Sequence, residues 1–597
     1  MTNTVTLRQT LQRYYKEDLR LFAMLLPERV ESDTKEAYIQ AIEAHLMGPG
    51  LRSVVEALGA HEAAAVAYLC HERWASFSAV RFAAAQGVEH AEPLRYYAAQ
   101  GGLAPVSLLV HDGRVPCDLR PRLRELLPQP APAVLAHDPS FSLERTIAYS
   151  SPQGALRVSF ECPVLETSHA PEEVANALRV VGNHKLKWTA RTNLLTKASA
   201  QLFEQHALLE PDYLHSPLHW PDVPPAVSEV TAWESAQWPR ARALADIFWH
   251  TGYAAPSGGL SPHARDMLKL PAHHANRDMW RRWVHLPNVD ELNLIPRIKA
   301  GGRPTSVVGR REGIAQALAQ CPVNQWVHWG DFVDYCLASD TFPSVLRPDT
   351  EGYRLDARAL HPSEEADDLL LGLAYTACFL GRYASGLGVV ELALCPPTMR
   401  GPLFGARDPY SNTPLTLFDG IHALRLTPLG AWILGLSEAY EPPPRQVFSA
   451  FKLLPNGDVV CLESPDRRTM YLLDRFAHRT TDALWHMDTQ SLLEAMNRGE
   501  DAQELLDFFE AAQQPLPGTV RLMIQQMSAR AEALRVLPEH RVVHIKDAIL
   551  LQEIAHHSRA GKLCTVVGPH HLIVPAHHIR KFQKALRAMG HPLPGLE

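Results

Sequence analysis

No two of the nine cysteines stand in a C-x-x-C pair. Structural zinc sites draw on such close spacing, and nine cysteines scattered over a chain this long are not the dense set of a disulfide framework, so neither is expected, and the scatter reads as reduced thiols in a cytoplasmic protein. Long apolar runs are missing too. The longest, LLLGLAYTACFLG from Leu369 to Gly381, is too short to span a bilayer and ends at Arg382, so it reads as a buried core helix and no membrane partner is expected. The N-terminal MTNTVTLRQTLQRYYKEDLRLF mixes charges throughout and has no apolar h-region, so no signal peptide is expected. Positive charge is in deficit. A formal net charge of −7 and a pI near 6.5 argue against wholesale coating of nucleic acid, so any affinity for phosphate has to come from local patches.

Catalytic signatures are equally scarce. No G-x-x-x-x-G-K-[ST] loop is present; Gly561-Lys562 is followed by Leu563 and has no glycine five residues earlier. Without that loop nothing cradles phosphates or holds Mg²⁺ through a hydroxyl, so ATP hydrolysis by that chemistry is not expected. Thirty histidines suggest metal, especially the adjacent pairs His273-His274, His556-His557, His570-His571 and His577-His578. Neighbours on a helix point roughly 100° apart and share a metal poorly. His61-Glu62 and His71-Glu72 lack the second histidine of H-E-x-x-H, and no G-x-S-x-G elbow or dinucleotide fingerprint occurs. The expectation is a non-enzymatic protein with no cofactor and no metal site.

What is present is a chain of 597 residues, 46% hydrophobic and 21% charged, which suggests an ordinary globular protein of several domains. The pattern reads as mainly α with small β-sheets, an α+β chain of tandem winged-helix modules followed by a smaller α/β domain. Residues 1–125 give successive short helices, and GGLAPVSLLVHDGRVPCDL alternates around His111-Asp112-Gly113 as a hairpin does; helices then hairpin is winged-helix order. After the Pro-rich LLPQPAPAVL, residues 136–215 hold a hairpin turning near Ser151 to Gly154, a helix at Pro171 to Val181, and a basic strand-then-helix unit. HSPLHWPDVPPAV opens a helical block at 216–324 that carries Trp238, Trp249 and Trp280.

Residues 325–440 are the clearest winged-helix candidate. WVHWGDFVDYCLA places Trp326, Trp329, Phe332, Val333 and Cys336 on one helical face, a long helix covers Glu364 to Tyr383, and VVELAL supplies a strand. A turn at Asp419-Gly420 opens another strand, and Leu429 to Leu436 closes the module as a helix. YEPPPRQ then forms a stiff linker to the last region, 446–597.

Three segments concentrate positive charge. The first holds Lys185, Lys187, Arg191 and Lys197. The second, from Leu286 to Gly313, gathers Arg297, Lys299, Arg303, Arg310 and Arg311 around a Gly-Gly pair and reads as a flexible basic loop able to follow a phosphate backbone. The third is the final helix, where Arg580, Lys584 and Arg587 share an outer face while Ile579, Phe582, Leu586 and Met589 turn inward. The second can equally be an ordinary solvated loop, and the third a solvated face.

The chain is organised around Met487 to Val536, where three amphipathic helices follow one another. Asp488 or Thr489 caps the first, with Leu492, Leu493 and Met496 as its apolar face and Gly499 as its stop. Asp501 with Glu504 caps the second, which buries Leu505, Leu506 and Phe509, and Pro517 starts the third, with Val520, Met523, Ile524, Met527 and Leu534 on one side. A β-α-β-β-α order follows to the end.

The T-x-S-L-x-x-A-x-x-x-G run from Thr489 to Gly499, the D-x-x-E-L-L-x-F run from Asp501 to Phe508, the P-x-x-V at Pro517 to Val520 and the lead-in LLDRFAHRTTDALWHM resemble the N-terminal region of XPB-type helicases, which also occurs in bacterial helicase-associated proteins without a motor. The T-P-L-G ending near Thr427 resembles the final part of the winged helix in those proteins. The resemblance covers the last 150 or so residues and more weakly the module before them, and it carries no catalytic residue. It implies a DNA-engaging accessory that grips duplex or forked DNA beside a separate helicase or nuclease, in DNA repair or anti-phage defence. The acidic balance favours an alternative, a protein-docking scaffold with little DNA contact, since fold alone does not choose between them.

Overall fold

A computed structural model describes residues 5–591 apart from 72–75, 89–93, 95–102, 152–153, 185, 190–192, 208, 210–238, 257, 296, 300, 303, 348–351, 356–357, 362–364, 396–414, 417, 443–450, 464, 466, 498–499, 513–514 and 533–539. The chain is mixed α/β with small antiparallel sheets and divides into two compact units, Met1–Pro444 and Arg445–Glu597.

The first unit begins with short helices: α1 (Leu7–Leu11), α2 (Lys16–Ala23), α3 (Lys35–Met47), α4 (Gly50–Glu56), α5 (Ala60–His71), α6 (Ala79–Gln86) and α7 (Arg120–Leu126). Hydroxyls start several of them: Thr6 accepts from the Gln9 N–H, Thr34 from Ala37 and Ser78 from Arg81. Leu11, Ile39, Ile42, Leu69 and Phe82 then merge their apolar faces into one core. The expected hairpin shrinks to its turn. His111 and Arg114 exchange N–H···O bonds of 2.8 and 2.9 Å, with Asp112 (φ 49°) and Gly113 (φ 69°) in the left-handed region that an Asp-Gly turn uses. Before it, Pro105–Leu108 winds into a 3₁₀ turn, since a proline supplies no ladder donor.

A larger core follows, formed by buried residues between Leu165 and Ile433. The hairpin of β1 (Glu144–Ser151) and β2 (Gly154–Glu161) turns between Ser151 and Gly154, as expected. Then come β3 (Val164–Leu165), α8 (Ala170–His184), α9 (Lys197–Ala207), α10 (Pro239–His250), the two-residue pair β4 (Ala254–Ala255) and β5 (Gly259–Leu260), α11 (Pro262–Met267) and α12 (His273–Val284). Next are β6 (Ile298–Lys299), α13 (Val307–Leu318), β7 (Trp326–His328) and α14 (Trp329–Ala338). After the short pair β8 (Arg354–Leu355) and β9 (Arg358–Ala359) stand α15 (Glu365–Cys378), β10 (Val390–Leu394), β11 (Ile421–Leu426) and α16 (Pro428–Leu434). Helix α12 packs on both α8 and α16, so a single core runs through the segments read from sequence as 136–215, 216–324 and 325–440.

Two local expectations change here. Trp326 lies on a strand: β7 pairs antiparallel with β11, and α14 begins only at Trp329, where the His328 ring accepts the Gly330 N–H at 3.1 Å. The interval 286–313 is also largely ordered, into a 3₁₀ turn at Glu291–Leu294, β6 and the first half of α13. Helix α15 continues as a π-helical turn, Phe379–Ala384, and every residue from 369 to 395 is buried. Gly381 is required within it, because a Cβ there would stand 2.2 Å from the Phe418 ring.

The second unit opens with β12 (Phe451–Leu453), β13 (Asp458–Cys461), α17 (Arg467–Phe476), β14 (His478–Thr481) and β15 (Leu484–His486), an antiparallel sheet in the order β12-β13-β15-β14. The three expected helices follow as α18 (Thr489–Asn497), α19 (Ala502–Ala511) and α20 (Gly518–Glu532). Asp488 caps α18 by accepting the Ser491 N–H at 2.8 Å, and Asp501 caps α19 by accepting the Gln503 N–H at 2.9 Å. Leu492, Leu505, Phe509, Val520, Ile524 and Met527 share one buried core with Trp485, whereas Leu493, expected inside, is exposed. Gly499 and Leu534 lie outside the described residues.

The closing β-α-β-β-α order is β16 (His540–His544), α21 (Ala548–His556), β17 (Thr565–Val566), β18 (His571–Pro575) and α22 (Ile579–Ala588). Strands pair antiparallel in the order β16-β18-β17. Along β18, Leu572 and Val574 enter a core with Phe582 and Leu586, so the period of two turns His571 and Ile573 to the opposite face of the sheet.

Candidate nucleic-acid interface

The basic segments fare differently. In the first, Lys187 and Lys197 are exposed, while Lys185 and Arg191 lie outside the described residues. In the second, Lys299 is exposed on β6, Arg297 is half-buried and Arg303 lies outside the described residues.

Arg310 and Arg311 are corrected by the structure. Both are buried on α13 and face acids twenty positions earlier. Arg311 Nε donates to Glu291 Oε1 at 2.8 Å, and its two terminal nitrogens donate to the carbonyls of Trp283, Leu286 and Val289 at 2.5 to 2.8 Å. Arg310 donates to Asp290 at 2.5 Å and to Thr305 at 3.0 Å, with its guanidinium 4.7 Å from the centre of the Tyr375 ring. A buried guanidinium stays charged only when paired, so these two side chains hold the fold together and present nothing to a backbone phosphate. The adjacent Asp290-Glu291 was the sequence signal that could have found this, since it matches Arg310-Arg311 at one constant offset.

On α22 the expectation holds in geometry. Arg580, Lys584 and Arg587 are all exposed, as is Lys581, which the sequence reading left out. At 3.6 residues per turn the four fall within an arc of roughly 120°, opposite the buried Phe582, Ala585 and Leu586. None has a carboxylate within ion-pair distance among the described residues, so four cations face water unneutralised. Their setting strengthens the effect. Between His540 and His591 there are eight lysines and arginines against two carboxylates, Asp547 and Glu553, a net +6 with histidine neutral in a chain whose total is −7. A local excess of that size attracts polyanions.

A polar cluster around Asp278 is closed on itself. Asp278 Oδ2 accepts from Tyr253 at 2.8 Å and from His263 and Arg282 at 2.7 Å each. Burial pushes this carboxyl up, but the bonds from His263 and Tyr253 and the Arg282 charge outweigh it and leave the group below its usual range. A cleft of about 290 Å³ beside α2 is lined by Tyr14, Asp18, Phe22, Ser107 and Asp112. It brings together two carboxylates and no base, which suits no phosphate. Among the described residues no group of three or more His, Cys, Asp and Glu side chains is arranged to hold a metal ion, and no helix is long and apolar enough to cross a membrane.

No protein-family model matches this chain, and no curated protein is significantly similar to it.

Proposed function

We propose that this chain is a non-catalytic DNA-binding accessory protein that engages duplex or forked DNA through its C-terminal segment, beside a separate helicase or nuclease in DNA repair or genome defence. The observation that carries the reading is the net +6 of residues 540–591 with the four exposed cations of α22, set in an acidic chain. Phosphate contacts need unneutralised, exposed bases on one face, which is what that helix offers. Lys187, Lys197 and Lys299 are available for further contacts; Arg310 and Arg311 are not.

The order α13-β7-α14-α15-β10-β11 supports a winged-helix module in the first unit. Such a module reads a groove with a helix whose outer face is polar. Here the long helix α15 is buried from Leu369 onward, so the module serves packing, and groove reading is assigned elsewhere. The same observation, with the net −7, favours the second reading, a protein-docking scaffold.

The two separate in a salt series with the full chain and a forked duplex. Several phosphate contacts require a steep fall of affinity with ionic strength; a flat response, together with copurification of a motor protein, selects the scaffold.

A further inference from the structure

Histidines on the open face of the C-terminal sheet meet across strands rather than along them. In the antiparallel register His544 stands directly opposite His571. Both are exposed, their ring centres lie 4.9 Å apart, and His544 Nδ1 is 3.3 Å from His571 Nε2. Two imidazole nitrogens bound to one tetrahedral ion at about 2.05 Å stand about 3.3 Å apart. The pair therefore already has the bite of a chelate. Pairing with β16 gives His571 a partner that is distant in sequence.

We propose that His544 and His571 chelate one late transition-metal ion on this face, with water completing the shell. The donor set chooses the metal: neutral imidazoles suit copper, zinc and nickel, and without a carboxylate they offer nothing to Mg²⁺ or Ca²⁺. No third ligating side chain converges on the pair among the described residues, so the ion keeps open positions and binds as a peripheral ligand. In the free chain the two rings share one N–H···N contact. Binding shifts that proton to the outer nitrogen of the donor ring, so both inner lone pairs face the metal and no proton is released. The cationic surroundings, net +6 over 540–591, weaken the site for a free dication, and the two-ligand bite has to outweigh that repulsion.

The test uses the full metal-stripped chain titrated with Cu²⁺, and separately with Zn²⁺, by calorimetry, with copper spin resonance as a second readout. The parent is expected to take one strong equivalent, with a spectrum showing two imidazole nitrogens. His544→Ala and His571→Gln each weaken that equivalent by roughly tenfold or more and leave one nitrogen, while His577→Ala keeps the parent behaviour. Both altered positions are exposed, and melting curves without metal check that the fold is kept. Parent affinity and a two-nitrogen spectrum in either variant overturn the assignment.

Discussion

Glu291 and Arg311, each fully excluded from solvent, meet through a 2.8 Å hydrogen bond from the guanidinium Nε to the carboxylate. The Trp283 indole N–H donates to the same carboxylate oxygen at 3.2 Å, and the Arg311 guanidinium lies 4.8 Å from the centre of the Trp283 ring. A charge this deep is tolerable only while its partner stays.

Removing one member should therefore be severe. Arg311→Met is expected to destabilise the first unit by about 3 to 5 kcal/mol in urea melts, because it strands a buried carboxylate and three carbonyls. DNA affinity measured well below the melting temperature should not change. A loss of affinity with the melt unaltered would contradict the assignment of Arg311 to the core.

Acid should weaken the N-terminal helical region through His111. Burial pushes its imidazole down to about 4 from an ordinary 6.5, although the Leu108 carbonyl and Asp112 favour the charged form. The folded form binds fewer protons, so this contribution is complete above about pH 6.5 and is lost as pH falls toward 4, by about 3 kcal/mol. In His111→Gln the difference from the parent should disappear across that interval. Parallel stability curves for the two chains between pH 6.5 and 4.5 would show that His111 does not titrate in this way.

Asp246 works with the opposite sign. Burial raises its carboxyl to about 6, against the opposing charges of Arg242 and Arg382. Its contribution is greatest below about pH 4 and fades as pH rises through 6. Asp246→Asn is accordingly expected to gain stability relative to the parent as pH rises from 4 to 7, measured by thermal melts; a constant difference over that range rejects the shift.

In the second unit Arg475 donates through Nε to Glu500 at 3.0 Å and through its terminal nitrogens to Glu504 at 2.7 and 2.9 Å. Glu504, expected to complete a capping box with Asp501, serves this buried fork instead. Arg475→Ala should cost about 3 to 5 kcal/mol, and Asp501→Ala only about 1 kcal/mol, the usual worth of a cap. Equal costs in denaturant melts would reverse that ranking.

What was legible in the sequence was local. Asp488, Asp501 and Pro517 mark helix starts through bonds made within a few residues, and α18, α19 and α20 begin where those signals stand. The amphipathic pattern of α22 also survives intact. Partners distant in the chain were not legible. Trp326 joins a strand because β11, about a hundred residues later, offers it a ladder, and Arg310 and Arg311 turn inward because Asp290 and Glu291 await them. The His544–His571 pairing depends on strand register, which adjacent-residue inspection does not contain.

The most direct measurement compares the salt dependence of forked-duplex binding by the full chain with that of the Lys584→Ala/Arg587→Ala double variant. Both side chains are exposed, with no carboxylate within ion-pair distance among the described residues, so melting behaviour should match. Each phosphate contact contributes about −0.9 to the slope of log affinity against log salt, so the parent should give about −3 or steeper and the variant should lose roughly 2. Identical slopes, or no measurable dependence in the parent, would contradict DNA engagement through the C-terminal helix.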